Sequence, residues 1–246
     1  MKKIGLQLYS VGGDMAKSVP ETLKRVAGLG YSQVEFAGYF GIDAAEMKRM
    51  LDEYGLEAVS SHANVVGNLD AELEYMQTVG AKNIACAGIG DFNSRDNVLR
   101  IAERFNNIGE KCEKAGIHFS YHNHAHEFVR DEEGKWLLDI LYENTDPKLV
   151  NVQLDVCWAL VGGADPVAYL TKYKDRVRMV HMKEVKTVAP YEGTAIGMGL
   201  VDFPGIYNLL GDNVLYIVEQ EGLPHMETWE GLRRSADYLK ALELRR

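Results

Sequence analysis

The stretch Ser18-Val19-Pro20-Glu21-Thr22-Leu23-Lys24-Arg25-Val26-Ala27-Gly28-Leu29-Gly30-Tyr31-Ser32-Gln33-Val34-Glu35-Phe36-Ala37 reads as one helix followed by one strand. Ser18 can accept a hydrogen bond from the first helical turn, Pro20 fits that turn because its missing N–H costs nothing there, and Glu21 complements the positive end of the helix. Apolar positions recur at helical spacing up to Leu29, and Gly30 offers the left-handed residue that ends a helix. The short run Gln33–Ala37, bounded by turn signals, follows as a strand.

The same unit repeats outward from this stretch. Helices are expected over Val19–Leu29, Ala44–Tyr54, Ala71–Val79, Val98–Ala115 and Thr228–Leu242, with Gly30, Gly55, Gly80 and Gly116 each placed between a helix and the next strand. Strands are expected at Ile4–Tyr9, Gln33–Ala37, Glu57–His62, Asn83–Ala87, His118–His122, Asn151–Asp155, Arg178–His181 and Leu215–Glu219. Eight alternating units predict a parallel sheet closed into a (β/α)8 barrel, in one domain over residues 1–246. The longest irregular stretch, Thr187–Phe203, reads as an active-site loop, and Gly193–Gly199 within it reads as a mobile cover. That glycine-rich run follows no strand directly and opens no helix at phosphate-binding spacing, which argues against a nucleotide cradle.

Composition narrows the functional classes. Lys and Arg number 27 against 36 Asp and Glu, giving a net charge of −9 spread without blocks. No basic stripe offers counterion release to a nucleic acid, so none is expected as a partner. No apolar run approaches the roughly 20 residues that cross a bilayer, and Gln7 interrupts the N-terminus where a signal peptide would stay apolar. A soluble, cytoplasmic protein with no membrane partner is expected. Cys86, Cys112 and Cys157 are odd in number and widely spaced, as suits free thiols.

In such barrels chemistry gathers at the C-terminal ends of the strands. The fifth strand ends Tyr121-His122-Asn123-His124-Ala125-His126-Glu127-Phe128, the sixth Leu154-Asp155, the seventh Val180-His181-Met182-Lys183-Glu184, and the eighth Val218-Glu219-Gln220-Glu221. Four adjacent strand ends thus bring imidazoles and carboxylates to one quadrant, a set that suits one Mn2+, Mg2+, Co2+ or Zn2+ ion with positions open for substrate. Taken singly, Asp155 also fits a helix cap, His181 a core histidine and Glu219 a surface residue; their joint occurrence favours the metal reading. His126 fits a loop or surface position, and His118, His225 and the cysteines fit structural roles.

With these motifs, over essentially the whole length, the chain resembles the xylose isomerase-like TIM barrel superfamily, in its sugar phosphate isomerase/epimerase group, which includes inosose dehydratase and ketose 3-epimerases. The resemblance implies metal ligands Glu, Asp, His and Glu from strands five to eight. Asp155, His181 and Glu219 fall on the last three. At the first, this sequence has His122, so either His122 ligates or Glu127 folds back; Glu127 is preferred. Three carboxylates would favour Mn2+ or Mg2+, and a second imidazole Co2+ or Zn2+.

The resemblance further implies an isomerase or epimerase that moves a proton beside a carbonyl of a sugar or keto sugar, through an enediolate. The alternative is a dehydratase or lyase of a 3-keto sugar or keto-inositol. His124 is expected as the base, two residues beyond His122 and on its face. His122 and Lys183 are expected beside it, Lys183 to bind or polarise a substrate oxygen. Trp158 is expected to wall one face of the sugar, and Glu35 and His62 either to contact the sugar or to make structural hydrogen bonds inside the barrel. No Arg or Lys cluster follows strands seven and eight, which points to an unphosphorylated small-molecule substrate. An endonuclease IV-type nuclease is disfavoured by the acidic charge, whereas a non-catalytic sugar-binding barrel and a homo-oligomeric state stay open.

Overall fold

The computed structural model describes residues 3–90 and 92–244. Ten strands follow in chain order: β1 (Gly5–Gln7), β2 (Gln33–Phe36), β3 (Glu57–Ser61), β4 (Asn83–Cys86), β5 (His118–His122), β6 (Val150–Asp155), β7 (Val177–Met182), β8 (Glu184–Val188), β9 (Tyr191–Thr194) and β10 (Leu215–Val218). All but β8 and β9 form one sheet in the order β3-β2-β1-β10-β7-β6-β5-β4, and every neighbouring pair in it is parallel. Its two outer strands meet through the His62 and Ala85 bridge and through the Asn83 amide, which donates to the Val59 carbonyl at 2.9 Å. The sheet is thereby nearly closed into the expected TIM barrel.

The helices between the strands are α1 (Gly12–Met15), α2 (Val19–Gly28), α3 (Ala44–Tyr54), α4 (Leu69–Val79), α5 (Arg95–Lys114), α6 (Leu137–Glu143), α7 (Val156–Val161), α8 (Pro166–Lys172), α9 (Phe203–Leu210) and α10 (Thr228–Glu243). Ser18 caps α2 by accepting from the Glu21 N–H. Gly55 and Gly80 close α3 and α4 in the left-handed region, at φ 69° and 82°, where a side chain would be strained.

The apolar core lies mainly between the sheet and the helices. Inside the barrel Val59, Ala85, Met179 and Ile217 pack as a separate buried cluster. Strand alternation then dictates what stands above this plug: two residues beyond Met179 is His181, and two beyond Ile217 is Glu219. Among the described residues no helix is long and apolar enough to cross a membrane. The three cysteines are buried and free.

The expected irregular loop at Thr187–Phe203 is different in the structure. Its first part belongs to an antiparallel hairpin of β8 and β9, a sheet of its own, because Val185, Thr187, Val188 and Tyr191 suit a pleated surface. The glycine-rich part is pinned rather than free: the buried Glu184 carboxylate accepts from the N–H groups of Val185, Gly197 and Val201 at 3.0, 3.2 and 3.1 Å. Gly199 lies so close to the Val185 carbonyl and the Glu184 side chain that a Cβ would collide with both. Close packing, not mobility, accounts for that residue.

Candidate active site

His122 ends β5, Asp155 ends β6, His181 lies near the end of β7, and Glu219 follows β10. All four are buried, and each offers a ligand atom within 4.8 Å of the others. Register makes this happen: β6 and β7 pair so that Asp155 stands beside His181, and β7 and β10 pair His181 with Ile217, two residues short of Glu219.

Asp155 does two jobs. Its Oδ1 caps α7 by accepting from the Trp158 N–H at 2.8 Å, while its Oδ2 is buried with no hydrogen-bond partner. Asn123 holds this turn to β5, accepting from the Asp155 N–H at 3.0 Å and donating to its carbonyl at 3.3 Å. His122 Nδ1 is also buried without a hydrogen-bond partner.

Behind the cluster lies a polar web. Glu35, expected at the substrate or in a structural hydrogen bond inside the barrel, is fully buried. Its carboxylate accepts from Gln7 Nε2 at 2.8 Å, Gln153 Nε2 at 2.7 Å and His181 Nε2 at 2.5 Å. With Nε2 held by Glu35, Nδ1 of His181 is left to face Glu219, whose Oε2 is 2.9 Å away. Glu35 thus makes the structural hydrogen bonds inside the barrel that were the other expectation for it. Gln7 and Gln153 were missed, although each lies on the inward face of its strand, Gln153 two residues before Asp155.

The electrostatics follow from burial and proximity. Burial alone would raise Glu35, but the His62 and His181 charges and the hydrogen bonds from His181 and Gln153 hold it at about 2. Burial alone would depress His181, yet the Glu35 charge and its bonds to Glu219 and Glu35 lift it to about 10. Asp155 is raised to about 6 by burial, against the pull of Lys183, and Glu219 pushes it the same way. Burial also opposes ionisation of Glu219, but His181 and Lys183 hold it well below the usual carboxylate range. Two buried carboxylates that oppose each other, with unpartnered imidazole and carboxylate atoms between them, fit a divalent cation.

Glu127 is not in this group. Its side chain turns away from the barrel axis, accepting from the Tyr121 hydroxyl at 2.7 Å and the His124 N–H at 2.8 Å. The reason is local: Tyr121 points to the opposite side of β5 from His122, and the 3-10 turn His126–Phe128 carries Glu127 to Tyr121's side. The structure thus places His122, and not the preferred Glu127, with Asp155, His181 and Glu219.

A cavity of about 450 Å³ opens over the cluster, lined by Tyr9, His62, His122, His124, Glu219 and Glu221, among others. His62 hydrogen-bonds Gln153 Oε1 at 2.8 Å and stacks on His181 at 5.0 Å, so it stands at the mouth as expected. His124 lies beside His122, with ring centroids 5.0 Å apart, and its side chain is 36% exposed. Burial lowers its pKa, but the hydrogen bond and charge of Glu127 outweigh this and raise it above the usual imidazole value. Burial instead depresses both His62 and His122.

Lys183 is held by two carboxylates. It is 1% exposed, and its ammonium donates to Glu219 Oε1 at 3.1 Å and to Glu221 Oε1, so two of its three N–H donors are held by carboxylates. Trp158 stacks on Tyr191 at 4.9 Å, with Lys183 Nζ over its ring at 4.4 Å. Its indole N–H is buried without a partner. Glu221 and Tyr9 were missed; Glu221 lies two residues past Glu219, the spacing that would have found it.

A family model described as xylose isomerase-like TIM barrel matches residues 23–242. The inosose dehydratase of Geobacillus kaustophilus (strain HTA426) is 30% identical over 193 residues, which is 68% of this chain and 62% of the relative. The chain thus spans less than two thirds of that relative's length. A crystal structure described as a sugar phosphate isomerase/epimerase from Parabacteroides distasonis ATCC 8503 superposes with a TM-score of 0.82 at 30% identity, covering 98% of this chain and 94% of the other. A second structure of the same description and organism gives 0.86 at 27% identity, covering 98% of both.

Proposed function

The chain belongs to the xylose isomerase-like TIM barrel family, and on that premise we propose that it is a divalent-metal-dependent enzyme that removes the proton beside a carbonyl of a keto sugar or keto-inositol. The observation that carries this reading is the pair of buried atoms without hydrogen-bond partners, Asp155 Oδ2 and His122 Nδ1, in a cluster completed by His181 and Glu219. Leaving such atoms unpaired costs on the order of 1–3 kcal/mol each, so a ligand common to both is the economical account.

His122, Asp155, His181 and Glu219 would hold the ion, and the second imidazole moves the preference from Mg2+ toward Mn2+, Co2+ or Zn2+. The ion would polarise a carbonyl and its neighbouring hydroxyl and so acidify the α-proton. Glu35 keeps Nδ1 of His181 turned to the centre by accepting the Nε2 proton. His124, at the rim, takes the α-proton, and Glu127 stabilises the imidazolium that results. The same imidazolium can protonate a β-hydroxyl leaving on its own face, so one residue serves both halves of a dehydration.

Dehydration is the favoured outcome on that ground and on the likeness to inosose dehydratase. Epimerisation is the second reading, favoured by the two Parabacteroides structures; it needs a proton donor on the opposite face of the carbon. Protein loaded with Mn2+, Co2+ or Zn2+ and incubated with keto-inositols and 3-keto sugars in D2O separates the two by NMR. Loss of water marks the first and a diastereomer deuterated at the α-carbon the second. Absence of product and of α-deuterium with every metal and substrate overturns the proposal.

A further inference from the structure

The loop after β5 carries a second group of ligand-type side chains that the inner cluster does not use. His124, His126 and Glu127 bring one ligand atom each within 4.8 Å of the others. Glu127 Oε1 lies 3.8 Å from His124 Nδ1 and 3.4 Å from His126 Nε2, and the two imidazoles are stacked at 5.7 Å with an interplanar angle of 16°. Ligand atoms in a tetrahedral shell with bonds of roughly 2.0–2.1 Å stand about 3.4 Å apart. The three side chains are therefore already near coordinating separation.

The surroundings support more than an ordinary hydrogen-bonded turn. Tyr121 and the His124 backbone fix the Glu127 carboxylate at 2.7 and 2.8 Å, the kind of outer support that ligating carboxylates receive. His126 is 60% exposed, yet its Nε2 is directed back at the buried Glu127 oxygen rather than into water. That exposure also leaves a path of entry from solvent. The set of two imidazoles and one carboxylate is of the type that takes Zn2+ with a fourth position open, and it is poorly suited to Mg2+.

We propose that His124, His126 and Glu127 form a rim site for a zinc-class divalent cation, separate from the inner cluster and sharing no ligand with it. An ion in this site occupies the lone pair of His124 and so blocks proton transfer; this inhibitory half rests on the role given to His124 above, whereas binding itself does not.

Co2+ serves as the probe, because its visible absorption reports tetrahedral binding without any turnover. Wild type should take up two equivalents of Co2+. The His126→Ala variant should retain one, held by the inner cluster, and Asp155→Ala should retain one with the tetrahedral spectrum of the rim. Equal uptake by wild type and His126→Ala overturns the site, whereas a single equivalent that His126→Ala loses and Asp155→Ala keeps supports the rim and removes the inner site; either result is independent of whether a substrate has been found. With a substrate in hand, Zn2+ added to the Mn2+-loaded enzyme should inhibit wild type and spare His126→Ala, whose turnover without Zn2+ stays at the wild-type level. Equal inhibition of both overturns the inhibitory half.

Discussion

Replacing Glu35 by Gln tests whether the inner cluster is organised from behind. Glu35 accepts three side-chain hydrogen bonds, from Gln7, Gln153 and His181, and it contacts no solvent. A glutamine has one accepting oxygen and presents an NH2 group in place of the other, so at least one of those donors faces another donor. Leaving one buried donor unpaired costs about 1–3 kcal/mol of stability. Loss of an outer partner of a ligating imidazole typically weakens metal binding by about 10–100-fold. The pH dependence gives an independent reading. Glu35 lies at about 2 against an ordinary 4.5, so its ionised form stabilises the fold at pH above the ordinary value. That contribution is lost as pH falls from about 4.5 toward about 2, and its size is on the order of 3 kcal/mol. Denaturant titrations of the metal-free protein between these pH values should therefore show a steeper loss of stability than in the Gln variant, which keeps only the share due to Glu219 and the other depressed carboxylates. Calorimetry with Mn2+ should show the weaker binding. Metal affinity within about twofold of wild type, together with an unchanged acid limb, would refute the assignment of Glu35 as the residue that orients His181.

Three further outcomes are expected. His122→Ala should lose most of the inner ion while Glu127→Ala keeps it, as read by metal analysis after gel filtration; the reverse pattern restores Glu127 as the fourth ligand. His124→Ala should keep the inner metal and its fold but lose on the order of 10²- to 10⁴-fold in turnover, with α-proton exchange into D2O falling in parallel, and exchange at the wild-type rate would move the role to another group. Because His181 is raised to about 10 in the metal-free protein, an ion must displace its proton at neutral pH. Affinity should rise with pH up to about 10, and calorimetry in buffers of different ionisation heat should show proton release; binding insensitive to pH between 6 and 9 contradicts that.

What could be read along the chain is whatever depends on near neighbours. The helix opened by Ser18 and the left-handed glycines Gly55 and Gly80 are decided within a few residues. The strand alternation that sets His181 above Met179 and Glu219 above Ile217 is equally local, so the barrel and three of the four inner residues were legible in advance. The hairpin at β8 and β9 was missed because its residues are interrupted by turn signals that read as loop, and Glu184 ties the following segment down only once the fold brings their backbone to it. The remainder was settled across the barrel. Glu35 is separated by 146 residues from His181 and by 118 from Gln153, and no periodicity reveals that its carboxylate is spent on them. Lys183 faces Glu219 and Glu221 for the same reason. Whether His122 or Glu127 completes the cluster turned on a single 3-10 turn, which swings Glu127 to the face of β5 that Tyr121 occupies. A strand's sequence determines which side chains share a face, but the choice among partners on that face belongs to the closed sheet, where buried polar atoms must find one another at hydrogen-bond distance.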